Sequence, residues 1–369
     1  MRTIIYILQK EFLQIFRNRM MLPIIFVMPV IQLLILAHAA TYEMKTIRTH
    51  VVDLDQSPSS RELVSKFKGS SFYKMVGYSF SYELAEKDIE NGTADLIIQI
   101  PADFEKDIVV EKEASISLVI NAINGSAASL INAYTLAIVR DFNLNLVTEM
   151  ISRKVKQPIG IEYSYWFNPE LNYKTYMVPG ILVLLVTIIA FFLSGMNVVR
   201  EKEIGTIEQI NVTPIKKYQF IAGKLIPFWI IAMFELAFGL VIAKISFNIP
   251  IVGSVGLVFG VAAIFLVTVL ALGLIISTMS DTMQQSMFLT WFFLVIFILM
   301  SGLFTAVDSM PDWARAINII NPIAYFIEII RMILLKGAGF KNIIHQFVAL
   351  VIYAVAALSI AAWRYKKVA

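Results

Sequence analysis

Residues that could carry chemistry are few in this chain, and they are not grouped as a catalytic site would require. The sequence has no cysteine and only three histidines, His38, His50 and His345, which are too scattered for a histidine-rich metal site. It contains no G-x-x-x-x-G-K-[ST] phosphate-binding loop, no His-Glu-x-x-His motif and no G-x-S-x-G motif. We therefore expect no catalytic residue, and any uphill transport would draw its energy from a partner or an ion gradient.

One acidic residue, Glu235, lies near the middle of an apolar stretch, residues 221–245. A carboxylate at the centre of a bilayer costs roughly 2.5–3.5 kcal/mol on insertion scales, so it should face protein or a watery path. Two interpretations are equally supported by the sequence. Glu235 is either a substrate or proton site, or a neutral acid that forms a hydrogen bond between two helices.

A charged segment, residues 197–227, separates two apolar runs at 177–199 and 221–243, each long enough to cross a bilayer. Its basic residues favour the cytoplasmic side of a membrane: Arg200, Lys202, Lys216, Lys217 and Lys224. Residues 201–212 have the periodicity of a short amphipathic helix that ends before Pro214. Such a helix is either a surface that a soluble motor pushes or a solvated loop that only fixes topology.

The composition identifies an integral membrane protein. The chain has 369 residues, 58% of them hydrophobic, and a mean hydropathy of +0.73. The formal net charge of +4 is small, and we attribute it to loop residues that face lipid headgroups. We expect no bound metal and no nucleic-acid partner.

The elements around these residues follow from the hydrophobic pattern. Residues 1–19 form a predicted amphipathic helix with one apolar face: Ile4, Leu8, Phe12, Ile15 and Phe16. Residues 20–40 are the first predicted span, for which an uncleaved anchor fits better than a signal peptide because the run is long. Residues 41–174 form a polar domain of mixed α/β type, in which we predict strands at residues 50–54, 78–81, 94–100 and 115–122, with helices between and after them. Residues 175–369 return to the membrane.

Five further spans are predicted, near residues 176–199, 221–245, 254–277, 286–304 and 343–363. Basic residues after the last span place the carboxyl terminus in the cytoplasm with the amino terminus, so the number of spans must be even. Residues 307–340 then do not cross, and we predict external helices that dip into the membrane. In the span at 254–277, Gly256 and Gly260 form a small-xxx-small pair suited to close helix packing.

Four stretches together resemble the membrane subunits of type-2 ABC exporters, in particular bacterial drug-efflux permeases with a large periplasmic insertion. They are residues 8–17 leading into 22–33, residues 167–171 with 177–180, residues 200–214 with Gly223 and Lys224, and residues 321–337. The third stretch, REKEIGTIEQ followed by VTP, is the most specific. The four occur in the same order as in the family and extend over nearly the whole chain.

The resemblance implies an all-α membrane fold of six helices, with the α/β domain in the periplasm between the first and second. It implies a permease in the bacterial inner membrane, paired with a like or unlike second permease and with a cytoplasmic ABC ATPase dimer. ATP and Mg would bind to that ATPase and not to this chain. A periplasmic adaptor and an outer-membrane channel often complete such systems.

Residues 200–214 would be the coupling helix that contacts the ATPase, residues 1–19 the connecting helix, and residues 307–340 the external re-entrant helices. The residues we assign to coupling are Glu201, Glu203, Gly205, Thr206, Glu208, Gln209 and Pro214. Gly205 would allow the segment to bend or to approach its partner closely.

Two other classes of function remain open on the sequence. The chain could be an envelope scaffold or receptor that does not transport, or a carrier driven by an ion gradient through Glu235. An ATPase gene beside this one would favour the exporter, whereas transport that collapses with the proton gradient but persists without ATP would favour the carrier.

Overall fold

The structure, a computed structural model, describes residues 2–17, 19, 21–39, 46–151, 166–168, 172–211, 213, 215–305 and 307–365. The chain divides into two compact units. One comprises residues 1–41 and 164–369 and is helical, and the other comprises residues 42–163 and contains a sheet.

The amino-terminal half of the chain contains three helices and then the sheet-containing unit. In chain order its elements are α1 (Arg2–Arg17), α2 (Met21–Phe26), α3 (Met28–Ala39), β1 (Ile47–Asp53), α4 (Pro58–Gly69), β2 (Tyr73–Ser79), α5 (Tyr82–Glu90), β3 (Leu96–Ile100), α6 (Phe104–Val110), β4 (Ser117–Ile120) and α7 (Gly125–Ile151).

The described residues in the remainder of the chain form helices. Its elements are α8 (Tyr173–Ile204), α9 (Thr206–Asn211), α10 (Lys217–Phe247), α11 (Val255–Met279), α12 (Met283–Leu299), a 3-10 turn (Val307–Ser309), α13 (Asp312–Asn318), α14 (Pro322–Lys336) and α15 (Phe340–Arg364).

Among the described residues, four helices are long and apolar enough to cross a membrane: α8, α10, α11 and α15. The predicted first span is divided at Val27 into α2 and α3, between Pro23 and Pro29, although helical hydrogen bonds still join Val27 N–H to the Pro23 carbonyl oxygen and Ile31 N–H to the Val27 carbonyl oxygen. Proline lacks an N–H group and crowds the preceding turn, which accounts for the interruption. The predicted fifth span is the shorter apolar helix α12, of 17 residues.

Helices α13 and α14 are bent by 85° at a short break, a geometry that fits a broken span or a re-entrant loop. Asn321 begins α14 as its N-cap, since its side chain accepts a hydrogen bond from the backbone N–H of Ile323. Pro322 follows at the first helical position, where its missing N–H costs nothing. The prediction that this region does not cross stays a prediction.

Helix α8 forms the centre of the helical unit and α15 lies at its edge. Of the most apolar window of each helix, 89% is buried in α8 and 22% in α15. The close contact between α8 and α11 is made at Gly273, where an added Cβ would lie 1.9 Å from Ser194 Oγ. The predicted contact residues Gly256 and Gly260 make no close packing contact among the described residues.

The second unit has a four-stranded sheet of order β2-β1-β3-β4, in which β1 pairs in parallel with β2 and β3, and β4 is antiparallel to β3. The central strands β1 and β3 are almost completely buried, as parallel strands covered by helices should be. The helices and strands fall close to the predicted positions, but β2 begins at Tyr73, five residues before the predicted start at Tyr78.

A buried carboxylate, Asp53, ends β1 and organises the loop that follows it. Burial alone would raise the pKa of this carboxyl, but hydrogen bonds lower it overall; the donors are the backbone N–H of Gln56, the hydroxyls of Tyr78 and Ser60, and the backbone N–H of Asp55. A group whose pKa is lowered by folding stabilises the folded state whenever it is ionised.

We therefore expect the α/β unit to lose stability as the pH falls below about 4, the ordinary range for aspartate. Above that range Asp53 is ionised and its hydrogen bonds contribute fully, whereas protonation through the lowered pKa removes their contribution. Hydrogen exchange of residues 46–151 in the full-length protein, corrected for intrinsic rates, should show steady protection between about pH 6 and about pH 5 and falling protection at about pH 4 and below. Asp53→Asn should show a smaller pH dependence, and protection that does not change with pH would contradict the prediction.

Candidate functional site

Four charged side chains from three helices meet at one end of the helical bundle. Lys224 Nζ of α10 lies 2.7 Å from Glu11 Oε1 of α1 and 2.6 Å from Glu201 Oε1 of α8. Lys10 Nζ of α1 lies 2.7 Å from the same oxygen of Glu201. We call Lys10, Glu11, Glu201 and Lys224 the charge network.

Most of the charge network is shielded from solvent. The exposed fraction is 2% for Lys224, 2% for Glu11 and 4% for Glu201. Buried charges are tolerated only when they are paired and hydrogen-bonded, and here each carboxylate has a further donor. Asn197 Nδ2 donates to Glu11 Oε2 at 3.0 Å, and Thr206 Oγ1 donates to Glu201 Oε2 at 2.9 Å.

The amphipathic sequence of α1 places Glu11 in this network. The predicted apolar face is largely correct, because Ile15 is buried and Ile4, Leu8 and Phe12 are partly buried, whereas Phe16 is exposed. Glu11 follows Leu8 by three positions and precedes Ile15 by four, so it shares their face of the helix. An acid within an apolar stripe is the signal in the sequence that could have identified it.

Helix α1 packs closely on α10 where a glycine precedes the lysine of the network. A Cβ added to Gly223 would lie 2.5 Å from Ile7 Cγ2, so only glycine allows this approach. The resemblance included Gly223 and Lys224 without assigning them a contact, and the structure shows that they face α1.

The segment after Glu201 differs from the predicted helix over 201–212. Helix α8 continues without interruption to Ile204, Gly205 ends it with a positive φ of 79°, and the short helix α9 follows. A positive φ is unfavourable for residues with a Cβ, which explains glycine at this bend. No side chain lies within 4 Å of the Cβ position among the described residues, so the glycine serves the backbone bend and not a close contact.

The residues assigned to coupling are divided between the interior and the surface. Glu201 is buried in the charge network, and Thr206 is bonded to it. Glu208 and Gln209 are exposed on α9. Glu203 is also exposed, and its Oε1 accepts a hydrogen bond from the backbone N–H of Met283, which starts α12. Pro214 lies outside the described residues.

A second link joins this region to α11. Lys202 Nζ donates to the backbone carbonyl oxygens of Thr278 and Ser280, at 3.2 and 2.9 Å. These carbonyls lie at the end of α11, where the backbone lacks helical partners and a cation is favourable. The bend at Gly205 is therefore connected by side chains to α1, α10, α11 and α12.

A cavity of about 870 Å³ opens beside the charge network. Its lining combines apolar side chains, such as Leu193 and Phe228, with Arg200 and the four residues of the network. Such a volume is within the range of sites that hold drug-sized ligands, roughly 300–1,000 Å³. The mixed lining suits a molecule with an apolar body and a polar group.

The carboxyl group of Glu235 lies apart from the charge network, on α10 between α3 and α8. Its exposed fraction is 6%, and neither carboxyl oxygen has a hydrogen-bond partner among the described residues. The hydrogen bond between helices that the sequence left open for Glu235 is thus not made by any described residue, and the role of Glu235 stays a prediction.

The sequence is similar along nearly its whole length to known membrane transport proteins. A family model described as "ABC-2 family transporter protein" matches residues 19–363. The probable multidrug ABC transporter permease YbhR of Escherichia coli K12 is 29% identical over 335 residues, which cover 90% of each chain. The probable multidrug ABC transporter permease YbhS of the same organism is 25% identical over 331 residues, or 89% of this chain and 87% of the relative. The inner membrane transport permease YhhJ of that organism is 25% identical over 320 residues, or 86% and 84%.

Proposed function

The chain belongs to the ABC-2 family of transporter proteins, and we propose that it is the permease subunit of an exporter that moves amphiphilic small molecules outward across the inner membrane. As a member of this family it is an integral membrane subunit without ATPase activity of its own, and a separate subunit hydrolyses ATP. The names of its relatives, which include two probable multidrug permeases, support the substrate class. The cavity beside the charge network supports it by its size and mixed lining.

The observation that carries the coupling proposal is the position of the charge network at the base of an exposed bend. We assign the contact with the cytoplasmic ATPase to the exposed residues Glu203, Glu208 and Gln209. Glu201 and Thr206 face inward and would transmit the displacement instead of touching the ATPase. Because Glu201 is bonded to Lys224 and Lys10, a push on the bend would reach α1, α8 and α10 together.

In this proposal ATP binding closes the two ATPase subunits, and the bend at Gly205 moves with them. The membrane helices then shift between an arrangement open to the cytoplasm and one open to the outside. Membership of the family implies a dimeric arrangement. We further propose cytoplasmic termini, a periplasmic location for the α/β unit, and an export route completed by an adaptor and an outer-membrane channel.

Substitutions at the bend test the coupling directly. Gly205→Val should reduce ATP-dependent export several-fold, because valine disfavours the positive φ by roughly 1–2 kcal/mol. Gly205→Asn should retain most export, since asparagine tolerates this conformation. Glu208→Ala should reduce export while the amount of folded, inserted protein stays unchanged. Normal export by both Gly205→Val and Glu208→Ala would show that the bend does not couple transport to ATP.

The class of protein is tested by affinity purification of the tagged chain from native membranes in mild detergent, followed by mass spectrometry. We expect a stoichiometric cytoplasmic ATPase, and a second permease would identify a heterodimer. Recovery of envelope proteins without an ATPase would support a scaffold instead. A matched purification of Glu208→Ala should recover less ATPase, which would link the exposed face of α9 to the partner.

A further inference from the structure

Glu235 is a buried acid that the coupling mechanism does not use. Both of its carboxyl oxygens are enclosed and lack a hydrogen-bond partner in the described part of the chain. Buried polar groups are nearly always bonded, and acids within membrane helices usually mark pathways for ions or substrates. The orphaned carboxyl group therefore points to a ligand site at this position.

A small cavity adjoins the carboxyl group. Its volume is about 10 Å³, close to the roughly 10–15 Å³ that one water molecule needs. Apart from Glu235 the lining is apolar, with Pro29 and Leu33 from α3, and Leu182 and Leu185 from α8. Among the described residues this lining offers no cation to the acid, so an ionised Glu235 would be balanced only by a bound cation, whereas a protonated Glu235 would need none.

A proline is part of the cavity wall formed by α3. Pro29, which lines the cavity, has no N–H group, so one helical hydrogen bond is missing there. The hydrogen bonds on either side persist, from Val27 N–H to the Pro23 carbonyl oxygen and from Ile31 N–H to the Val27 carbonyl oxygen. A turn weakened in this way is where we expect the wall to deform when a ligand larger than one water molecule enters.

A cluster of three aromatic side chains on α2 and α10 adjoins this cavity through Phe238. Phe26 of α2 meets Phe234 edge-on at 5.9 Å between ring centroids, and Phe234 stacks with Phe238 at 6.4 Å. The exposed fractions are 54% for Phe234 and 42% for Phe238, and Phe238 also lines the cavity. Aromatic faces attract organic cations, so the three rings and the acid together favour a positively charged, apolar ligand.

We propose that Glu235 binds the charged group of a lipophilic organic cation that enters between α3 and α10 past Phe26, Phe234 and Phe238. This site lies apart from the cavity beside the charge network. The inference rests on the proposed export of amphiphiles and narrows their chemistry to cations at this site. A proton in place of an organic cation would make the chain an ion-driven carrier instead.

Two probes of nearly equal size and opposite charge test the proposal, tetraphenylphosphonium and tetraphenylborate. Binding to the purified full-length chain in detergent is measured by equilibrium dialysis, without ATP or ATPase. Wild-type protein should bind the phosphonium cation more tightly than the borate anion. Glu235→Gln should weaken cation binding by about tenfold or more and leave anion binding unchanged. Glu328→Gln, at an exposed acid on α14, is the matched control and should change neither affinity.

The other outcomes overturn the proposal. Unchanged cation binding by Glu235→Gln would exclude the site, and an equal loss for both probes would assign Glu235 to packing. If Glu235→Gln leaves cation binding unchanged but abolishes the dependence of transport on the proton gradient, the ligand of Glu235 is a proton. The binding assay contains no ATPase. Failure to recover an ATPase in the affinity purification would therefore contradict the proposed exporter function without affecting the result of the binding assay.

Discussion

Lys224→Met will destabilise the helical unit by about 3–5 kcal/mol, the usual cost of removing one partner from a buried ion pair. Lys224 Nζ contacts both Glu11 and Glu201, so its loss leaves two buried carboxylates for which Lys10 is the remaining ion-pair partner among the described residues. Methionine keeps most of the side-chain volume, and the effect therefore reports charge instead of a cavity. The loss of stability is measured by thermal unfolding of the purified full-length protein in detergent. The fraction of the protein that is inserted in membranes is measured in parallel.

Lys217→Met is the matched control, because Lys217 is exposed in the first turn of the same helix. It should change stability by less than about 0.5 kcal/mol. A Lys224→Met protein as stable as this control would contradict the assignment of the charge network. Adding Glu11→Gln and Glu201→Gln to the Lys224→Met variant should restore much of the stability, since no uncompensated acid of the charge network would then remain buried.

The stabilised triple variant also separates two roles of the network. If the charges serve only to hold α1, α8 and α10 together, the triple variant should export normally once it is stable. If the charges also transmit movement from the bend at Gly205, its export should stay low while ATPase binding is unchanged. We expect the second result, because the network joins the helix that carries the bend to its two neighbours.

Gly273→Ala should be the most disruptive single-methyl change in the membrane helices of this chain. Its Cβ would lie 1.9 Å from Ser194 Oγ and 2.8 Å from the carbonyl oxygen of Phe191. Overpacking of this kind costs about 1–3 kcal/mol or more, because α8 and α11 must move apart. We expect a lower unfolding temperature in detergent and a loss of export, since α8 carries Glu201 and the bend.

Gly260→Ala provides the contrast within the same helix. Its Cβ would meet no atom within 4 Å among the described residues, so stability should be unchanged or slightly higher. Combining Gly273→Ala with Ser194→Gly should restore only part of the stability, because the Phe191 carbonyl oxygen belongs to the backbone and cannot rotate away. Equal stability of the Gly273 and Gly260 variants would show that α8 and α11 are less tightly packed than the structure indicates.

Local patterns in the sequence were sufficient for much of the architecture. The apolar runs that became α8, α10, α11 and α15 stand out by length and hydropathy alone. Alternating and helical periods placed the strands and helices of the α/β unit within a few residues, apart from the start of β2. These features depend on residues that are neighbours in the chain, and the sequence alone is therefore sufficient to predict them.

The interruption of the first span and the bend at Gly205 were only partly predictable. Pro23 and Pro29 signal a weakened helix, but whether a proline bends or breaks a helix depends on what packs against it. Gly205 permits a positive φ without requiring one, and the amphipathic period continues through it. The bend therefore became evident only from the positive φ of Gly205, which ends α8 before α9 begins.

The sequence by itself determined that this is a membrane protein of the ABC-2 transporter family, because hydropathy and the order of four motifs are properties of the linear chain. The tertiary structure decided which charges meet. Lys224 and Glu11 are 213 residues apart, and no local period relates them. The structure also showed that Gly273, and not Gly256 or Gly260, is the point of close packing. A glycine permits such packing only where a neighbouring helix lies against it, and the sequence does not show which glycine has such a neighbour. Periodicity shows which face of a helix is apolar, whereas the partner of that face is fixed by how all the helices pack together.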